Sequence, residues 1–158
     1  MQRLDHLKTL SWEHHDALKY AHRLRKGIAR GTDVDTLRRY LHLVVEHHLR
    51  PHFGQEESIL VDRLSDEQRK AAVVQKVLEE HQQMLALAEE IAHTTGDVAS
   101  LMTRFADMLK QHVRLEQAQF FPYIENTLST QQLESAQHEL EERHVPGHLP
   151  WDLPFWKS

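Results

Sequence analysis

Apolar residues recur at three- and four-residue spacing in four long segments of the chain, which is the pattern of helices that bury one face. Helix-capping residues precede three of these segments: Asp33 the second, Ser65 with Gln68 in a capping box the third, and Asp97 the fourth. A shorter fifth helix is expected at about 130–143. Long helices joined by short loops predict an all-α fold, an antiparallel up-and-down four-helix bundle.

The C-terminal segment has a different pattern. Three prolines, Pro146, Pro150 and Pro154, prevent a regular helix there. Three large aromatic side chains favour burial: Trp151, Phe155 and Trp156. We therefore divide the chain into a bundle domain (1–144) and an extended aromatic tail (145–158). The tail is expected to pack along the bundle or against a second copy of the chain, which makes it a candidate homo-oligomer contact. A lid over a functional site is the alternative role.

Charge and composition exclude several classes of partner. The net charge of −5 disfavours nucleic acid, because phosphate binding requires a basic surface. No apolar stretch approaches the ~20 residues that a bilayer crossing needs, so no membrane partner is expected. The chain has no cysteine, which excludes disulfides and thiolate ligands and favours the cytoplasm. It has fourteen histidines, and histidine is the commonest side-chain metal ligand.

Two parts of the chain repeat one helix-hairpin design. Glu13 and Glu80 each precede a histidine, and a His-x-x-x-Glu pair follows one helix later in both cases. The repeat places six polar residues within the apolar stripes: His14, His52, Glu56, His81, His112 and Glu116. Residues four apart share a helix face, and burying a carboxylate is costly unless it is paired or binds a metal. The pattern therefore predicts a cation site, with a metal-free buried polar network as the alternative.

The composition of this ligand set suggests the metal. Four imidazoles and two carboxylates suit two ions, and bridging by both glutamates would leave one or two positions open on each ion for a small ligand. Nitrogen and oxygen ligands with open positions favour iron, with manganese or zinc as alternatives. Because ligand histidines must be deprotonated, metal affinity is expected to weaken below about pH 6. Two further His-x-x-x-Glu pairs are expected to face solvent: His42 with Glu46, and His138 with Glu142.

Two histidines are alternative ligands. His15 is an alternative to His14 as the first ligand, and His48 lies on nearly the same helix face as His52, where it would be a fifth imidazole or a neighbour of the site. Glu57 is expected to point away from the metals. Three tyrosines are candidates for orienting the ligand imidazoles: Tyr20, Tyr40 and Tyr123.

Pro51 interrupts the second segment directly before His52. Proline lacks a backbone donor, and its ring collides with the carbonyl four residues earlier, here that of His47. A kink or bulge is therefore predicted, and it would help to aim His52 at the metal.

The six residues, together with the aromatic end Phe120-Phe121-Pro122, resemble the hemerythrin-like domain, also called the HHE cation-binding domain. The resemblance covers about 11–126. It implies a non-haem di-iron centre in which the four histidines are imidazole ligands and Glu56 and Glu116 are bridging carboxylates. Members of this family include oxygen carriers, proteins linked to repair of iron–sulfur clusters under nitric oxide or oxidative stress, and sensors of iron or oxygen.

The chain departs from the oxygen-carrying members at two points. Those members have a second histidine one turn before the third-helix ligand, where this chain has Val77, and the final acid here follows His112 by four residues rather than five. The resemblance therefore implies a more open centre that reacts with or senses O2, peroxide or NO. The alternatives are an iron storage or delivery module without turnover, and a bundle with a structural metal.

Overall fold

The computed structural model describes residues 5–157, and most of them are helical. The helices in chain order are α1 (Lys8–Ala29), α2 (Val34–Val44), α3 (Arg50–Gln55), α4 (Asp66–Arg69), α5 (Ala72–His93), α6 (Val98–Leu115), α7 (Phe121–Thr127) and α8 (Thr130–Glu142). Three π-helical turns join or extend them: Val45–Leu49, Glu56–Leu60 and Glu116–Phe120. Residues 5–157 contain no β-strand, so the predicted all-α class is confirmed. No helix in this range has the length and apolar character for crossing a membrane.

The π turns make long continuous segments from shorter helices. One runs from α2 through α3 to Leu60, and another runs from α6 through α7. Helix α1 packs against α6 and α2, and α5 packs against α6 and α2 as well. Helix α8 packs beside the 3₁₀ turn Asp5–Leu7 and the π turn Glu56–Leu60. These contacts enclose a shared interior between the four long segments.

The interior consists of two hydrophobic clusters. The Tyr20 cluster includes Ala17, Tyr20, Met84 and Phe105 among its buried residues. The Phe120 cluster includes Leu10, Leu60, Val77 and Phe120. Along α1 and α5, a histidine lies between a residue of one cluster and a residue of the other: Leu10, His14 and Ala17, then Val77, His81 and Met84. A polar layer therefore separates the two clusters.

Two of the predicted helix starts are confirmed. The Asp33 carboxylate accepts the backbone N–H of Thr36 at 3.0 Å and caps α2. Asp97 accepts the N–H of Ser100 at 3.2 Å and caps α6. Both carboxylates satisfy backbone donors that a first helical turn leaves unpaired.

The predicted start of the third long helix at Ser65 was wrong. Ser65 and Gln68 form the expected capping box, but it opens only the short α4. The backbone is extended at Ala71, with ψ of 138°, and α5 begins after it. The Arg69 guanidinium donates to the carbonyl of Val61 at 3.2 Å, which holds the short helix against the preceding turn.

The predicted bulge at Pro51 is present. The π turn Val45–Leu49 comes directly before α3, whose second residue is Pro51. The N–H of Arg50 donates to the carbonyl of Val45, five residues earlier, so the wide turn accommodates the proline ring. Pro122 occupies the same position after the π turn Glu116–Phe120.

The aromatic tail packs on its own bundle. The rings of Trp151, Phe155 and Trp156 lie 5.2, 5.0 and 5.7 Å from the ring of Tyr40. A Cβ added at Gly27 would lie 2.6 Å from the Phe155 ring, so glycine makes room for the tail on α1. The homo-oligomer contact and the domain division at residue 144 stay predictions.

Candidate metal centre

Six buried side chains from four long segments converge in the polar layer. They are the six that the sequence predicted: His14, His52, Glu56, His81, His112 and Glu116. None of their side chains is more than 3% exposed. Their ligand atoms form two groups, each lying within 4.8 Å of one another: His14, His52, Glu56 and Glu116 in one, and Glu56, His81, His112 and Glu116 in the other. The two groups share both glutamates.

Each shared carboxylate faces imidazoles of both groups. Glu56 Oε2 lies 3.2 Å from His52 Nε2, and its Oε1 lies 3.0 Å from His81 Nε2. Glu116 Oε1 lies 2.7 Å from His14 Nε2 and 3.3 Å from His112 Nε2. Its Oε2 lies 3.5 Å from His81 Nε2. The carboxylates therefore stand between the two pairs of histidines.

The opposite nitrogen of each imidazole donates to an oxygen outside this cluster. The Nδ1 partners are Gln117 for His14 at 2.8 Å, Glu13 for His52, Glu57 for His81 and Glu80 for His112, the last three at 2.7 Å. A histidine whose Nδ1–H is held in this way has its Nε2 lone pair available for a metal. All four rings therefore present Nε2 to the centre.

These partners follow the internal repeat. Glu13 and Glu80 each precede one ligand histidine and hold the histidine on the following helix of their hairpin. Glu57 and Gln117 each follow a shared glutamate at the start of a π turn. A π turn advances less per residue around the helix axis than an α turn, which keeps the next side chain nearer the site. The repeated Glu-His dipeptide is the sequence signal that could have identified Glu13 and Glu80 as the residues that orient these imidazoles.

None of the three candidate tyrosines holds a ligand imidazole, since acids and an amide occupy the four Nδ1 atoms. The Tyr123 hydroxyl donates to the carbonyl of Gln68 at 2.8 Å. Tyr20 and Tyr40 lie in the Tyr20 cluster. Glu57 points away from the centre as expected, but it does so while holding His81.

The alternative ligands lie outside both groups. His15 is exposed, whereas the neighbouring His14 is buried among the ligand atoms. His48 is fully buried, donates from Nε2 to the Glu13 carbonyl at 2.9 Å, and stacks on His52 with ring centroids 6.2 Å apart. Burial lowers the pKa of His48 to about 4, so this ring is neutral. His42 and His138 are exposed, as predicted.

Phenyl rings fix the planes of two imidazoles. His14 stacks on Phe121 with centroids 5.0 Å apart and planes 1° from parallel. His81 stacks on Phe53 at 4.0 Å and 13°. These contacts hold one ring in each group and keep water from its face.

The centre attracts positive charge. Burial lowers imidazole pKa values, but the carboxylates of Glu116 and Glu56 outweigh it and raise the pKa of His81 to about 11 and that of His112 to about 9. Burial and the charge of Glu116 oppose ionisation of Glu56, yet the His52 and His14 imidazoles lower its pKa to about 2. Burial also opposes ionisation of Glu116, but the His112 imidazole holds its pKa well below the usual range. Both glutamates are therefore ionised, and their charge favours protons on the imidazoles or a metal cation between them.

The unpaired atoms of the site fit a metal. Within residues 5–157, the buried atoms without a hydrogen bond include His52 Nε2, His81 Nε2, His112 Nε2, both Glu56 oxygens and Glu116 Oε2. All of these atoms belong to the two groups of candidate ligands. Buried polar atoms are normally satisfied, so convergent unpaired nitrogens and carboxylate oxygens indicate cation ligands. The donor set suits iron, manganese or zinc.

Comparison with protein families gave a match over most of the chain. A family model described as the hemerythrin HHE cation binding domain matches residues 5–145, which include all six candidate ligands. Comparison with curated proteins and with solved structures gave no significant match.

Proposed function

Because the chain belongs to the hemerythrin HHE cation-binding family, we propose that it is a di-iron protein that reacts with or senses a small ligand such as O2, peroxide or NO. The observation that carries this proposal is the pair of four-residue groups that share Glu56 and Glu116. A single cation in one group would leave the two histidines of the other group unused. Two cations would engage all six.

The residues then have distinct roles. His14 and His52 would hold one ion, His81 and His112 the other, and both glutamates would bridge them. Iron, when bound, would supply redox and Lewis-acid chemistry, and manganese or zinc are the alternatives. The family membership and the buried histidine–glutamate groups support metal binding by this chain.

The protein's own residues would limit what reaches the ions. The phenyl rings of Phe53 and Phe121 cover imidazoles on both sides of the centre. All six ligands are buried, which favours small uncharged or weakly charged molecules over larger substrates. Val77 is buried in the Phe120 cluster one turn before His81, so no imidazole is available there to fill a coordination position. This supports ligand reaction or sensing rather than reversible oxygen carriage.

Two further expectations accompany this proposal. We infer that the four long segments run up and down in antiparallel order, since short connections join consecutive segments. A cytoplasmic location stays a prediction from the absence of cysteine.

The proposal can be tested with two neighbouring histidines. Protein from iron-fed cells should contain about two irons per chain, as the donor count suggests. His14→Ala should lower the iron content, whereas His15→Ala should leave it unchanged because His15 is exposed. Visible spectra before and after peroxide, O2 or NO then test reactivity. Equal iron loss in both variants, or a single zinc per chain, would contradict the di-iron site. A spectrum inert to all three ligands would favour iron storage or delivery.

A further inference from the structure

The carboxylate of Glu13 joins the centre to the C-terminal tail. Glu13 is fully buried, and its Oε1 accepts from His52 Nδ1 at 2.7 Å and from Gln55 Nε2 at 3.3 Å. Its Oε2 accepts from His144 Nδ1 and from the backbone N–H of Val145, both at 2.8 Å. One side chain therefore contacts a candidate ligand on one side and the start of the tail on the other.

The other half of the centre lacks this connection. Glu80 is the counterpart of Glu13 in the repeat, and it accepts from His112 Nδ1 at 2.7 Å. Its side chain is 22% exposed, and its hydrogen bond in the described part of the chain is with His112 alone. The two halves are therefore alike in the bond from glutamate to imidazole, but they differ in the other contacts of that glutamate.

Several contacts hold the tail along α1. The His144 ring packs edge-on against Trp12, with centroids 6.0 Å apart. Lys19 Nζ donates to the carbonyl of Gly147 at 3.3 Å. A Cβ at position 147 would collide with the Asp16 carboxylate, so glycine allows this close approach. Val145 is buried beside these contacts. The hydrogen bonds to Glu13 are thus part of a larger set of contacts between the tail and α1.

We propose that residues 144–156 act as a latch on one half of the metal centre. Docking of this segment and binding of a cation by His14 and His52 strengthen each other through Glu13. The His81–His112 half lacks such a direct link, because Glu57 and Glu80 hold its imidazoles. His144 is a positioning residue in this scheme, because it acts through Glu13 and does not touch the ions. The inference rests on the proposed metal function.

The physical basis is orientation of the carboxylate. With Oε2 held by two donors, Oε1 stays directed at His52 Nδ1, and the His52 ring stays aimed at the centre. Partners of this kind typically change metal affinity about 10–100-fold. A coupling free energy is reciprocal, so a cation on His52 must favour tail docking by the same factor by which the docked tail favours the cation.

The first experiment titrates metal-free full-length protein with Co²⁺ and follows its visible absorption. The wild type should bind two equivalents. His144→Ala should weaken one binding step about tenfold or more and affect the other step less, because only the His52 half contacts Glu13. His144→Asn should restore it, because an asparagine amide can donate from nearly the same position as Nδ1. His138→Ala is the matched control, because His138 is 75% exposed on α8 and pairs with Glu142.

The second experiment measures hydrogen exchange of the Val145 amide. In the wild type, Co²⁺ should slow this exchange about tenfold or more by the reciprocity of the coupling, and in His144→Ala the slowing should largely disappear. The latch proposal would be overturned by unchanged cobalt affinity in His144→Ala, or by a Val145 exchange rate that is the same with and without cobalt. Neither result would contradict the metal centre itself. A wild type that binds no cobalt would overturn both proposals at the first step.

Discussion

Cation binding at this centre should displace protons at and above neutral pH. In the metal-free fold, burial lowers the imidazole pKa values, but the Glu116 and Glu56 carboxylates raise that of His81 to about 11 and that of His112 to about 9. A ligand imidazole must lose the proton on its coordinating nitrogen. Since one pKa unit is worth about 1.4 kcal/mol, this loss at pH 7 costs about 3 kcal/mol for His112 and about 5 kcal/mol for His81.

The expected pH dependence is correspondingly steep. Each displaced proton changes the apparent affinity about tenfold per pH unit, so the protons of His81 and His112 contribute about 100-fold between about pH 7 and about pH 8. Despite burial, the carboxylates also raise the pKa values of His14 and His52, which steepens the dependence further. The assay is competition for Co²⁺ against a chelator of known pH dependence, with proton release followed by an indicator in weak buffer. His138→Ala should show the same slope, because that histidine is exposed.

A flat affinity above about pH 7 would refute this reasoning, because free imidazoles with a pKa near 6.5 would give that result. The sequence alone placed the loss of affinity below about pH 6 for this reason. The structure raises the pH range over which affinity is lost, because it places two buried carboxylates beside the same imidazoles.

Three further outcomes are expected. Metal-free protein should gain stability from protonated His81 and His112, a contribution fully present below about pH 6.5 and lost as pH rises through about 9 and about 11, as thermal unfolding across pH would show. Gln117→Ala should weaken cobalt binding about tenfold or more, and a similar loss for the exposed Gln119→Ala would contradict a specific role. Ser129→Ala should destabilise the protein by about 1 kcal/mol in denaturant unfolding, because it removes the capping box of α8, and an unchanged midpoint would disprove it.

Much of the site was predictable because the spacing of residues along a helix fixes which face of the helix each one occupies. His-x-x-x-Glu puts two ligands on one face, and an apolar stripe around them marks that face as buried. The repeat divides the four segments into two hairpins, each with two of the histidines and one of the glutamates. The structure brings all six residues together. The bulge at Pro51 was also predictable from local chemistry. A proline ring clashes with the carbonyl four residues earlier in an α-helix and cannot donate a hydrogen bond to it.

Local signals were insufficient at two points in the chain. The capping box at Ser65 was correct as chemistry, but the extended backbone at Ala71 ended its helix after one turn. The choice between His14 and His15 also needed the fold. Adjacent residues on a helix differ by about 100° in direction, and only packing decides which direction is inward.

The sequence by itself determined most of the helices, their buried faces and the six polar side chains that are candidate cation ligands, because these depend on periodicity and on the cost of burying charge. Only the tertiary structure decided which oxygen holds each Nδ1, how far the carboxylates raise the imidazole pKa values, and that the tail reaches Glu13. Those properties depend on distances between residues up to 132 positions apart in the chain. Such distances are set by how the helices pack, and spacing within one helix carries no information about them.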